Sequence, residues 1–285
     1  GVVTPAAGEV AEPVDLHVHS DASDGTVTPG EVVRRAIEAG LHAIALTDHD
    51  TVAGLEEAAA EAARLGLGFL PASELSANEP GRSVHLLAYG FDPMERTLLA
   101  FLSVYDADRR RRAREIVNRL RTLGVLLTYA EVEEEAGRAA PTRAHVARAL
   151  VGGFHVGSQE EAFRRWLSRG RPAFVEKRPT PPREAIERVH AAGGVVLLAH
   201  PGRAQRLSDL ARWVEDGLDG VEVIHPNNPP GVRARMAMFI AERGLLRSGG
   251  SDWHGPGTHR GELGEETAPA EWMREIEARC PALAR

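Results

Sequence analysis

"DLHVHSDASDG", residues 15–25, sets two histidines and three aspartates into eleven positions. Val14, Leu16 and Val18 alternate with Asp15, His17 and His19. A period of two reads as a strand, with both imidazoles on one side of a sheet. The S-D-A-S-D-G-T that follows is turn chemistry. The stretch therefore reads as a strand that ends by presenting two imidazoles, with Asp21 and Asp24 in the next loop. On these residues alone it is either a metal site or a polar strand end.

The same rhythm continues outward. "TPGEVVRRAIEAG" reads as a helix, with Thr28 as N-cap, Pro29 at its first position and Gly40 at its end. "HAIALTDHD", "LGFLPASELS" and "SVHLLAYGF" read as strands, with the helix "VAGLEEAAAEAARLG" between the first two. Repeated βα units imply a parallel sheet with its active residues at the carboxyl ends of the strands. Residues 96–171 then read as helices alone, before "VVLLAHPG", "GVEVIHP" and "LLRSGGSDWHG" restore the alternation. The pattern is an α/β core, residues 14–95 and 172–275, interrupted by a helical insertion.

Charge marks the same boundary. From Arg96 to Gly170 there are 14 Arg and no Lys against 9 Asp and Glu, in a chain whose net charge is −7. A basic insertion sits in an acidic protein, and the overall balance argues against blanket nucleic-acid binding. Composition, 43% hydrophobic and 26% charged, is that of a soluble globular protein. The single cysteine, Cys280, leaves no internal disulfide and fits a reducing, cytoplasmic setting. No signal peptide is expected from residues 1–13, no membrane span from any apolar run, and no obligate protein partner is evident.

Seven apolar segments end on metal-ligand chemistry: His17 and His19, Asp48 and His49, Glu74, His85, His200, His225, then Asp252 and His254. A polar group closing an apolar run is costly unless it finds a partner. In a closed barrel these ends converge on one mouth. Imidazole and carboxylate without thiolate suit Mn²⁺, Fe²⁺ or Zn²⁺ rather than a cysteine-type structural zinc. So many ligands exceed what one ion uses, which points to two or three ions sharing a carboxylate.

Together "DLHVHSDASDG", "LTDHD", "SELS" followed by "VHLLAYG", "LLAHP" and "GGSDWHG" resemble the ordered motifs of the polymerase-and-histidinol-phosphatase (PHP) family. The resemblance implies a distorted seven-stranded (β/α) barrel and a trinuclear metal centre, manganese being the leading candidate. It implies that His17, His19, Glu74 and Asp252 hold one ion. Glu74, His85 and His200 would hold a second, and Asp24, His49 and His254 a third. "PTRAHVARAL" further resembles the subgroup that removes phosphate from nucleoside 3′,5′-bisphosphates or trims 5′-phosphorylated oligoribonucleotides. Histidinol-phosphatase relatives usually carry His where Asp24 stands, which favours the nucleotide subgroup. The expected partner is thus a small phosphorylated nucleotide, with short RNA as a second class. Another phosphomonoester such as histidinol phosphate, or a catalytically silent metal- or RNA-binding module, is the alternative.

Other residues carry weaker signals. Asp15 and Asp48 adjoin ligands and are expected to orient imidazole N–H groups or to make plain turns. Asp21 is expected to be solvated. Arg143 follows the N-cap Thr142, where a guanidinium and free helix N–H groups can cradle phosphate. Arg148 and His225 are further substrate-binding candidates, His225 as a contact to the scissile phosphate or an aid to the leaving group. Arg109–Arg114 places five arginines in six positions, too many for one helix face, so some are expected to be solvated. Trp253 is expected to pack. His42, His145, His155, His190 and His259 carry no assigned role.

Overall fold

The computed structural model describes residues 12–79, 82–258 and 261–284, so His259 falls outside them. The strands are β1 (Pro13–Val18), β2 (Ala43–Leu46), β3 (Gly68–Glu79), β4 (Arg82–Tyr89), β5 (Val195–Leu198), β6 (Gly220–Ile224), β7 (Leu246–Gly249) and β8 (Ala268–Pro269). They form one sheet in the order β7-β6-β5-β4-β3-β2-β1-β8. The sheet nearly closes. His19 N donates to Trp253 O at 2.9 Å and Asp252 N to His17 O at 2.8 Å, tying the end of β1 to the loop after β7. The expected distorted barrel of seven strands is present. The eighth, two residues antiparallel to β1, carries no sequence pattern long enough to register.

The expectation of a parallel sheet needs correcting at β4. β3 and β4 form an antiparallel hairpin, and β4 is antiparallel to β5 as well. The intervening segment is too short to hold a crossover helix, which parallel pairing requires. His85 therefore lies in the first half of β4, not at its carboxyl end. It still reaches the mouth, because that half pairs with the far half of β3, His85 opposite Ser76.

Two apolar layers flank the sheet. α1 (Pro29–Glu38), α2 (Leu55–Leu65), α7 (Pro182–Ala191), α8 (Leu207–Glu215) and α9 (Pro230–Arg243) cover the outside. Thr28 caps α1 as expected, its Oγ1 accepting from Glu31 N at 3.2 Å. Outward residues such as Ile44, Leu46, Leu75, Leu86, Val196 and Val221 pack with these helices in one cluster. Val14, Leu16, Ala45, Leu70, Leu87, Tyr89 and Leu197 fill the interior, together with α10 (Ala270–Glu277). Burying such side chains contributes about 1.5–3 kcal/mol each.

The insertion comprises α3 (Arg96–Thr122), α4 (Tyr129–Ala136), α5 (Arg143–Gly152) and α6 (Gln159–Ala162). A π-helical turn, Phe163–Leu167, continues directly from α6. The insertion has an apolar cluster of its own, around Ile116, Leu120, Val132, Leu150 and Leu167. It is fastened to the mouth of the barrel by Arg138, which meets Asp21 at 2.8 Å and Glu57 at 3.0 Å. Asp21, expected to be solvated, is thus an anchor for the insertion. Among the described residues, no helix is long and apolar enough to cross a membrane.

The arginine run finds its partners within the chain, with Arg109 and Arg112 turned inward and Arg111 and Arg114 exposed, as expected for some of them. Arg109 pairs with Asp50, Arg110 with Asp106 at 2.9 Å and Arg111 with Asp108 at 2.7 Å. Arg112 donates to Val175 O at 3.3 Å, and the Arg114 guanidinium sits 4.6 Å over the Tyr129 ring.

Candidate metal centre

Strand alternation alone does not aim the ligands. On β3, Leu70 and Ala72 face the interior, so Glu74 and Ser76 follow two and four residues on. His85, His49 and Asp252 likewise share parity with interior residues of their strands or strand extensions. His17 and His19 do not, because Val14 and Leu16 already face inward. A register irregularity between Asp15 and Val18 resolves this. Beyond it Val18 joins the outer cluster, and both imidazoles turn in. His200 has the outward parity of Leu198 and is turned by a left-handed backbone, φ 28°. Asp252 is also left-handed, φ 55°. Such backbone costs of order 1–3 kcal/mol for a non-glycine residue and persists where the surroundings demand it.

The result is a carboxylate ringed by imidazoles. Glu74 Oε1 lies 2.8 Å from His85 Nδ1 and 2.8 Å from His200 Nε2. Glu74 Oε2 lies 3.2 Å from His17 Nε2, 3.2 Å from His19 Nε2 and 3.3 Å from His49 Nδ1. Asp252 Oδ1 lies 3.2 Å from His19 Nε2, and Asp24 Oδ1 lies 3.4 Å from His254 Nε2 and 3.9 Å from His49 Nε2. Their ligand atoms group as His17, His19, Glu74 and Asp252; as His49, Glu74 and His85; and as His19, Asp24, His49 and His254. All nine residues named from the sequence lie in this cluster, but His200, expected with Glu74 and His85, meets Glu74 Oε1 without joining a group, and His49 stands in its place.

Does this cluster fit metal ions, rather than a purely protonated network? Both ring nitrogens of the buried His19, and Nδ1 of His49, lack an aligned hydrogen-bond partner. A buried imidazole without one is costly. Such lone pairs facing carboxylates are what a divalent cation uses. Burial alone would raise the carboxyls. Instead the imidazoles of His49, His85 and His17 hold Glu74 well below the ordinary range, and His17 with its neighbours does so for Asp252. Burial pulls His19 down, but Asp252 and Glu74 outweigh it and raise it to about 9. Burial lowers His49 to about 3 and lowers His85 as well, so anionic oxygens face both raised and lowered imidazoles, a donor set that fits divalent metal.

The supporting carboxylates are not those anticipated. Asp15 accepts from Ser251 Oγ at 2.6 Å, Ser251 N at 3.0 Å and His17 N at 3.2 Å. It ties backbone to backbone and touches no imidazole N–H. Asp48 accepts from Ser20 Oγ at 2.6 Å, Ser20 N at 2.8 Å and Ser23 Oγ at 2.6 Å, shaping the loop that carries Asp24. Both carry the turn role of the two expected.

The group that orients an imidazole is Glu222 of β6, missed in the sequence. Its Oε1 lies 2.8 Å from His17 Nδ1, and its Oε2 accepts His200 N at 2.6 Å. With Nδ1–H given to Glu222, His17 presents Nε2 to the cluster. The signal was the charge inside "GVEVI", a strand that is otherwise apolar. Glu222→Gln should weaken metal binding by about 10–100-fold, the usual cost of such an outer partner. Chelator competition on the purified variant measures it, and an unchanged metal affinity would show that Glu222 only fills space.

His225 is fully buried. Its Nδ1 accepts from Asn227 N at 2.9 Å, so Nε2 carries the proton and faces Asp252 Oδ2 at 3.2 Å. Arg148 donates to Asp24 O at 3.1 Å, binding the insertion to a ligand loop. Arg143 donates to Leu167 O at 3.1 Å and lies between the Phe163 and Phe174 rings, 5.7 and 5.5 Å from their centres. Trp253 is buried in the outer cluster. Among the unassigned histidines, His145 completes a capping box with Thr142, and His190 pairs with Asp219 at 2.7 Å.

A family model described as PHP domain matches residues 15–177. The chain is 37% identical over 250 residues to a 5′-3′ exoribonuclease of Haemophilus influenzae, covering 85% of this chain and 90% of that one. It is 35% identical over 281 residues to a 3′,5′-nucleoside bisphosphate phosphatase of Chromobacterium violaceum, covering 93% and 97%. A solved structure from Bifidobacterium adolescentis, presented as a metal-dependent phosphoesterase, superposes with a TM-score of 0.88. It is 36% identical and covers 94% of this chain and 96% of its own. The interrupted barrel, its ring of imidazoles around Glu74 and these likenesses agree: the chain belongs to the PHP domain family.

Proposed function

We propose that this chain hydrolyses a phosphomonoester at a centre of three divalent ions, Mn²⁺ foremost. The substrate assigned is the 3′-phosphate of a nucleoside 3′,5′-bisphosphate, with 5′-3′ trimming of short 5′-phosphorylated oligoribonucleotides as a related activity. The observation that carries the reading is the position of Glu74, whose two oxygens face five imidazoles from β1, the loop after β2, β4 and the turn after β5. One carboxylate so placed can be shared between ions. The relatives' names supply the substrate class, and Asp24 in place of histidine agrees with it.

The chemistry divides among these groups. Divalent ions held here would supply a hydroxide at neutral pH and positive charge for the phosphoryl oxygens. His17, His19, Glu74 and Asp252 would hold one, Glu74, His85 and His200 a second, and Asp24, His49 and His254 a third. Glu222 fixes the tautomer of His17, while His225 holds Asp252 by its Nε2–H. Arg148 keeps the Asp24 loop in place from the insertion. Arg143, expected at the phosphate, is instead engaged with Leu167 O and the Phe163 and Phe174 rings.

Phosphate release across a substrate panel tests the assignment: a nucleoside 3′,5′-bisphosphate, a nucleoside 5′-monophosphate, a 5′-phosphorylated oligoribonucleotide and histidinol phosphate. The bisphosphate should give the highest kcat/KM. Fastest release from histidinol phosphate would overturn the nucleotide assignment, and release from none would overturn the enzyme reading.

A further inference from the structure

The register irregularity in β1 aims His17 and His19, and the apolar pattern of the strand does not account for it. Asp15 to Val18 covers three steps of β1 against two of β2, from Ile44 to Leu46. One extra residue is therefore inserted, a β-bulge, which disturbs the ladder locally. Buried N–H and C=O groups at such a place must be paired by other means.

Three successive peptide units run from Leu16 to His19, and each is held at both ends. In the first, the phenol of Tyr89 donates to Leu16 O at 2.7 Å, while His17 N donates to Asp15 Oδ1 at 3.2 Å. In the second, His17 O accepts from Asp252 N at 2.8 Å, and Val18 N donates to Thr47 Oγ1 at 3.1 Å. In the third, Val18 O accepts from Thr47 N at 2.8 Å and from Thr47 Oγ1 at 3.1 Å, and His19 N donates to Trp253 O at 2.9 Å. His17 cannot turn either flanking peptide plane without breaking two of these bonds.

Two of the partners bring a hydroxyl where an apolar residue of the same shape would pack. Tyr89 is fully buried on β4 in the interior cluster with Val14, Leu16, Leu87 and Leu197. Phenylalanine would fill that space; what tyrosine adds is a hydroxyl, and a buried hydroxyl needs a partner. Thr47 is fully buried just beyond β2, where valine has the same outline. Both hydroxyls are directed at the backbone on either side of His17.

We propose that Tyr89 and Thr47 are positioning residues for the metal centre. With Asp15, they lock the inserted residue of β1 so that the imidazoles of His17 and His19 meet Glu74, and they act through the backbone of β1. The proposal rests on the metal-centre reading above and names what sets its first ligand group.

Tyr89→Phe and Thr47→Val each remove one hydroxyl at nearly constant shape, and Thr47→Ser puts a hydroxyl back. Ile276→Val is the control, since it trims a side chain of the same interior cluster and leaves the bonds of β1 in place. Chelator competition with Mn²⁺ on the full chain gives metal affinity. Amide hydrogen exchange of the chelated protein at His17 and Val18, relative to Leu70 and Val196 on other strands, gives the opening of the bulge. Tyr89→Phe and Thr47→Val should each lower metal affinity at least tenfold, the scale of an outer partner, and speed the relative exchange at least tenfold. Thr47→Ser should recover most of both, and Ile276→Val should change neither. Unchanged metal affinity in Tyr89→Phe or Thr47→Val, or exchange that speeds equally at Leu70 and Val196, overturns the proposal. If wild type takes up no Mn²⁺, the metal-centre reading fails, and the exchange ratio still decides whether the two hydroxyls hold β1.

Discussion

Glu74→Gln should strip metal from the centre and reduce turnover far more than His19→Gln, with the barrel intact. Glu74 is nearly fully buried, and its two oxygens face imidazoles of two strands and two loops. The amide is close in volume, so packing survives. It has one acceptor oxygen instead of two and no charge, so it cannot be shared between ions. An outer partner of a metal ligand costs roughly 10–100-fold when removed, and a shared ligand should exceed that in both metal affinity and kcat. His19→Gln removes one neutral ligand from a group that keeps His17, Glu74 and Asp252 and from another that keeps Asp24, His49 and His254, with every carboxylate left in place. Metal analysis of dialysed protein, with circular dichroism as the fold control, separates the two variants. Metal content and rate in Glu74→Gln equal to those of His19→Gln would refute the bridging role.

Removing the metal should abolish turnover, and reloading it should release protons. Without metal, burial lowers His17, but Glu222, Asp252 and Glu74 outweigh it and raise it well above the ordinary imidazole value. His19 rises to about 9. At pH 7 both imidazoles then hold protons that a cation must expel, since only the neutral ring is a ligand. Metal affinity should therefore climb between pH 7 and 9. The stability of the chelated protein should move the opposite way over that window. A group with a raised folded pKa contributes stability that is complete below its unfolded value, near 6.5, and lost as pH rises through the folded value, about 9 for His19. Glu74 and Asp252, both depressed, contribute above their unfolded values and lose that contribution in acid. Calorimetric unfolding with chelator from pH 5 to 10, and pH-stat titration with Mn²⁺, read both effects. Metal uptake at pH 7 with no proton release would show that the ring is already deprotonated.

Residue order alone carries the kind of chemistry and the interrupted βα rhythm, though not the antiparallel placing of β4. Apolar runs closing on His, Asp or Glu are readable because strand periodicity and burial cost are local properties of the chain. Ten such residues and the helical stretch were legible on that basis; the set of nine, with Asp24 and without Asp48 and His225, came from the family resemblance, and the structure gathers it around Glu74 and Asp24. The tertiary structure decided how they are aimed. Strict alternation would have turned His17, His19 and His200 away from the cluster. The irregularity in β1 and the left-handed backbone at His200 turn them in, and both depend on neighbouring strands rather than on the residues concerned. Tertiary structure also chose the partners. Asp15 and Asp48, adjacent in sequence to ligands, brace backbone, while Glu222, more than two hundred residues from His17, orients its ring. The arginine run shows the same division. Its charge was plain in the sequence, but only the packing of α3 against its neighbours determined which guanidinium groups meet carboxylates and which meet a carbonyl or a ring. Periodicity is written along one strand; complementarity of charge and shape exists only once distant strands meet.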